Sequence, residues 1–143
     1  MDLRFMDKLS ERKIQAEIEN VEKVISVIEK YSSTKKLTEI ELAGIATYIH
    51  NFYNGIENIL KQLLKNRNIK FDDSPTWHRN LLLSALQNKL FNEQLYDNLL
   101  KFLSFRHFFI HSYSFILDTK ELKSLIKIIF DTWKDFKNQI PGK

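Results

Sequence analysis

Apolar residues recur at three- and four-residue steps through almost the whole chain, a period that only α-helices use. The first run, from about Asp2 or Ser10 to Tyr31, sets Ile14, Ile18, Val21, Ile25 and Ile28 in one stripe, with Glu and Lys filling the other faces. Ser32, Ser33 and Thr34 break it. Thr38, with Glu41 three residues later, predicts a capping box for a second helix that continues to about Lys65 and carries Ile45, Ile49, Phe52, Ile56, Ile59 and Leu63. Asn66 to Thr76 is rich in turn formers and predicts a loop. Within it, Ser74 is expected to cap a short third helix with Pro75 at its first position, bearing Trp77, His78, Leu81, Leu82 and Leu86. A fourth helix starts near Asn92. Asp118 with Glu121 opens a fifth, striped by Leu122, Leu125, Ile129, Trp133, Phe136 and Ile140 and stopped at Pro141 and Gly142. There is no alternating strand pattern, no repeat and no low-complexity tract. The expected fold is all-α: an antiparallel bundle of about five helices.

At 143 residues, such a bundle fits one domain, 1–143, and can bury roughly two thirds of its unfolded surface without staples. The absence of cysteine removes disulfide frameworks and thiolate metal sites. The first residues lack an apolar signal core, and no apolar run approaches the ~20 residues that span a bilayer, so a cytoplasmic protein with no membrane partner is expected. A net charge of +4 permits a polyanionic partner without requiring one.

The fourth helix carries the dense polar chemistry. From Leu99 to Leu117 it reads LLKFLSFRHFFIHSYSFIL, and phasing from Leu95 puts Leu99, Phe102, Arg106, Phe109, Tyr113 and Ile116 on one face. Arg106 therefore stands where a leucine is expected. An unpartnered buried guanidinium costs several kcal/mol, on the order of the penalty for isolated buried ions, so packing alone is a poor reason to place it there. A cleft is the cheaper explanation. His107 and His111 lie one turn apart on a neighbouring face, and no acidic residue occurs between Asn98 and Leu117, which suits an anion such as phosphate. The structural alternative for Arg106 is a buried ion pair with Glu57 or Asp97. His107 and His111 have metal-ligand spacing, but no third ligand is evident, so neither a metal nor another cofactor is expected. On the same reading His78 and Arg79 belong to the surface, and His50 is a polar position beside an apolar stripe.

Arg106, four intervening residues, His111, Ser112 and Tyr113 resemble the Arg-x-x-x-x-His-x-Tyr motif of HepT toxins in the HEPN (higher eukaryotes and prokaryotes nucleotide-binding) superfamily. His107 is similar to the polar residue often found after that arginine, and YIHNFYNGIENILKQLL (Tyr48 to Leu64) and PTWHRNLLL (Pro75 to Leu83) resemble a HepT-like subgroup. The resemblance covers most of the chain from Leu42 onward. It implies a HEPN-like helical bundle that forms a homodimer, a metal-independent endoribonuclease acting on RNA, and a nucleotidyltransferase antitoxin that adenylylates the motif tyrosine, here Tyr113.

Metal-free RNA cleavage needs a base for the 2′-hydroxyl proton, an acid for the leaving oxygen and a cation for the charge building on phosphate. His111 is the first candidate for acid or base, Arg106 for the bidentate phosphate clamp, and His107 for a supporting role. A five-residue helical step rotates by about 140°, so the Arg106 and His111 side chains diverge unless the helix is irregular, the arginine reaches round, or a second subunit completes the site across a two-fold axis. The last is favoured, because Phe102, Phe105, Phe108 and Phe109 make the helix apolar on more faces than one core uses. The other readings of this chain are a catalytically silent HEPN-like subunit that binds nucleotides or partners within a nucleotidyltransferase complex, and a helical interaction module without a ligand.

Overall fold

The structure is a computed structural model that describes residues 7–33, 36–71, 74–111 and 119–140. All regular structure among the described residues is helical: α1 (Lys8–Tyr31), α2 (Glu39–Asn66), α3 (Trp77–Gln87), α4 (Glu93–His111) and α5 (Thr119–Gln139). The five-helix bundle read from the apolar period is the fold observed.

Local chemistry sets several boundaries. Asp7 caps α1 by accepting the Ser10 amide at 2.7 Å, so the helix starts between the two positions expected. The capping box is present: Thr38 Oγ1 accepts the Glu41 amide at 3.1 Å, and Glu41 Oε1 accepts the Thr38 amide at 3.0 Å. Asn92 Oδ1 accepts the Leu95 amide at 2.9 Å and fixes the start of α4. At α3 the expectation fails. Thr76, not Ser74, is the N-cap residue, it makes no side-chain cap bond, and Pro75 precedes the helix. The reason is local: the Ser74 hydroxyl pairs with Thr76 Oγ1 at 2.9 Å, while the Ser74 carbonyl takes the Trp77 amide. Thr34, the Asp118 box and the stop at Pro141 and Gly142 lie outside the described residues.

Helices α1 and α2 are antiparallel. Asn58 Nδ2 donates to Glu17 Oε1, Gly55 faces Val21, and Ile28 lies beside Ile45. A β-carbon at Gly55 would collide with Val21 Cγ2, so glycine is what lets the helices approach this closely. The five stripe residues of α1 are all buried against this seam. Phe52 then joins α2 to α4 and α5: it is fully buried, with its ring 5.1 Å from Phe102 and 6.2 Å from Trp133. Gln139 Oε1 accepts the Asn92 amide and ties the end of α5 to the start of α4. With α1, α2 and α5 sharing the core, α3 is left to pack against α2 and α4, and a groove opens between α3 and α4.

Candidate functional site

Along α4, Leu95, Leu99 and Phe102 are buried on one face, and the next position of that stripe is Arg106. The side chain is half-buried, and its Nε is buried without a hydrogen-bond partner among the described residues. Neither Glu57 nor Asp97 pairs with it. Asp97 is exposed, and Glu57 is engaged elsewhere.

The groove beside Arg106 holds about 430 Å³. One wall is the start of α3, with His78 and Arg79; the other is α4, with Arg106 and His107 next to Leu100, Leu103 and Ser104. Among the described residues, every ionisable one lining it is basic, or can become so, which favours an anionic ligand.

Arg106 and His111 are not gathered in that groove. His107 lines it, whereas His111 is the last residue of α4, exposed and absent from the groove wall. Its ring centroid is 4.6 Å from that of His107. The helix is regular as far as His111, so the rotation that separates the two side chains is as large as the spacing implies. Tyr113 and Ser112 lie outside the described residues. Phe102 and Phe105 are core, Phe109 is half-buried, and Phe108 and Ile110 are exposed at 39% and 42% beside the two histidines.

Beneath Arg106 lies a polar cluster on α2. His50 stacks on Phe109 at 5.1 Å, with its Nε2 3.1 Å from Asn54 Nδ2 and its Nδ1 buried without a partner among the described residues. Burial, and after it the neighbouring Arg106 charge, hold the His50 imidazole below its ordinary value. One turn on, the Tyr53 hydroxyl is buried close to the Glu57 carboxylate, without the geometry of a hydrogen bond. Burial, and then Glu57, push its phenol well above the usual range. Three of the five described buried polar atoms that lack partners, on His50, Tyr53 and Arg106, thus belong to one neighbourhood. Each such atom costs about 1–3 kcal/mol, so the fold gains nothing from placing them together.

Two residues that the sequence reading assigned to the surface, and a third that it weighed as an ion-pair partner of Arg106, belong to this site. Glu57, only 3% exposed, accepts from His78 Nδ1 at 2.7 Å, and His78 and Arg79 line the groove rather than an unrelated surface. The signal available was Glu57 itself, a carboxylate one turn after Tyr53 on the apolar face of α2. Its partner, 21 residues away across a loop, could not be read from periodicity.

No group of three potential metal-ligating residues occurs among the described residues, and no described helix is long and apolar enough to cross a membrane. No match is found among curated proteins. Among solved structures, the fold is similar to that of YutE from Bacillus subtilis, a cytosolic protein of unknown function. The two align at a TM-score of 0.75 and 19% identity over 95% of this chain and 89% of that one, a likeness of fold. Residues 44–142 match the family model described as HepT-like protein. The chain belongs to the HepT-like family, within the HEPN superfamily.

Proposed function

We propose that this protein is a metal-independent endoribonuclease of the toxin type, with Arg106 gripping the scissile phosphate and His111 exchanging protons. The observation that carries this reading is the half-buried Arg106, with no partner at Nε among the described residues, in a groove whose described ionisable lining residues are all basic or can become so. A planar guanidinium in that position suits a phosphodiester, whose two free oxygens match its fork. His107 supports the site from the same wall.

His111 reaches the chemistry through a two-fold homodimer built on the exposed apolar end of α4, where Phe108 and Ile110 flank it. That arrangement brings the α4 ends of two subunits together and answers the divergence of Arg106 and His111 within one helix. Neutralisation by a nucleotidyltransferase antitoxin that adenylylates Tyr113 belongs to the same proposal: an adenylate there, two residues after His111 in the sequence, adds a bulky anion that blocks RNA by charge and occupancy.

The test is incubation of the purified protein with cellular RNA in excess chelator, beside His111→Ala. Cleavage by the wild type alone is expected. Cleavage that requires added metal, or that persists in the variant, contradicts the proposal; no cleavage by either favours a silent binding subunit.

A further inference from the structure

His78 lines the groove and pairs with the buried Glu57 behind it, and neither has a task in the mechanism above. Glu57 is a buried carboxylate on α2, an expensive group to bury, and its partner is a ring on another helix. The 2.7 Å contact is to Nδ1. A carboxylate oxygen accepts this bond from an Nδ1–H, and in that tautomer a neutral ring has its lone pair on Nε2. The ring is further fixed by stacking on Trp77 at 3.5 Å, and Trp77 in turn lies under the Lys61 ammonium at 4.3 Å. A ring locked at one nitrogen and on one face, and lining the groove opposite Arg106, is built to present the other nitrogen.

On this basis we infer that His78, oriented by Glu57, is the general base of the groove, taking the 2′-hydroxyl proton of an RNA strand whose phosphate is held by Arg106. The inference rests on the ribonuclease reading and assigns a residue that the Arg106–His111 motif does not contain. The 2′-oxygen attacks phosphorus, the bond from phosphorus to the 5′-oxygen breaks, and a 2′,3′-cyclic phosphate forms. The 2′ proton passes to His78 Nε2, and the leaving 5′-oxygen receives a proton from a protonated imidazole, His111 in the mechanism above. Atoms and charge balance without a co-reactant. Glu57 is a positioning residue. Among the described residues, the charged and titratable groups around His78 are Glu57 and Lys61 on α2, Arg79 on its own helix, and Arg106 and His107 across the groove.

The experiment compares wild type, His78→Gln and Glu57→Gln under single turnover in chelator across pH, with binding of a 2′-O-methyl RNA, which cannot be cleaved, followed in parallel. His78→Gln is expected to bind that RNA as the wild type does, to cleave about 10²- to 10⁴-fold more slowly, and to lose the rise of rate with pH that a base produces. Glu57→Gln should lower the rate less and leave KM unchanged. Cleavage by His78→Gln within twofold of wild type, with an unaltered pH profile, overturns the assignment while leaving the ribonuclease reading intact; absence of cleavage by the wild type overturns both. If His78→Gln does not fold, the imidazole resonances of wild-type His78 are followed instead. Displacement on adding 2′-O-methyl RNA supports the assignment, and no displacement at saturation overturns it.

Discussion

The seam between α1 and α2 and the groove between α3 and α4 are built from the same kind of amphipathic helix, yet they satisfy opposite demands. At the seam, isoleucine and valine interlock around Gly55, and the charged groups sit on the outer faces. At the groove, an arginine occupies a leucine position, and buried polar atoms of Arg106 and, beneath it, of His50 and Tyr53 have no partner among the described residues. Closed packing of the first kind stabilises a bundle; unsatisfied polar groups of the second kind cost stability and are kept where a ligand meets them. Substitutions should therefore separate into two classes, those that unfold the protein and those that disarm it.

The largest effect is expected on cleavage, at the motif residues. His111→Ala should reduce RNA cleavage by at least ~10²-fold with helicity unchanged, since a positioned acid or base typically contributes ~10²–10⁴-fold. Arg106→Lys keeps the charge but loses the bidentate fork and should forfeit most of the activity. Full activity in the lysine variant, measured on the same RNA, would break the functional half of the comparison.

At the core the effect should appear in unfolding. Phe52→Ala removes the ring that joins three helices and should cost about 3–5 kcal/mol by denaturant titration. Gly55→Ala forces α1 and α2 apart and should cost about 1–3 kcal/mol. A Gly55 variant as stable as wild type would mean that the seam is looser than its contacts imply.

A smaller effect links the two regions through pH. The folded protein holds His50 below its ordinary value, so the unfolded chain binds this proton first. The resulting stability is present above about pH 6.5, the unfolded value, and is lost as pH falls from there through the lower folded value. His50→Asn should flatten that part of the curve of unfolding midpoint against pH; an unchanged curve assigns the dependence to other groups. The smallest effect is remote from both regions. Lys89, two residues past the end of α3, has φ of 59°, a left-handed conformation that disfavours a side chain, and Lys89→Gly should raise stability by up to about 1 kcal/mol without changing activity.

The helices were legible because each buries a continuous stripe, and the stripe is written in the spacing of residues along one segment. Arg106 was legible for the same reason, as an exception to its own stripe. The roles of Glu57 and His78 were not, because their contact joins α2 to α3 and depends on how the intervening loop folds back, which no single-helix period encodes. The start of α3 was misplaced for a related reason: Ser74 and Thr76 hydroxyls satisfy each other, and that choice overrode the usual preference for a serine cap before proline.

The most direct test of whether the arginine on the apolar face of α4 serves a ligand rather than the fold is to replace it with an apolar side chain of similar reach and measure stability and cleavage on the same preparation. Arg106→Met should unfold at the same or a higher denaturant concentration than wild type, because it removes a buried donor that has no partner among the described residues, and should lose RNA cleavage. A variant that unfolds several kcal/mol more easily, or one that cleaves as well as wild type, would contradict it.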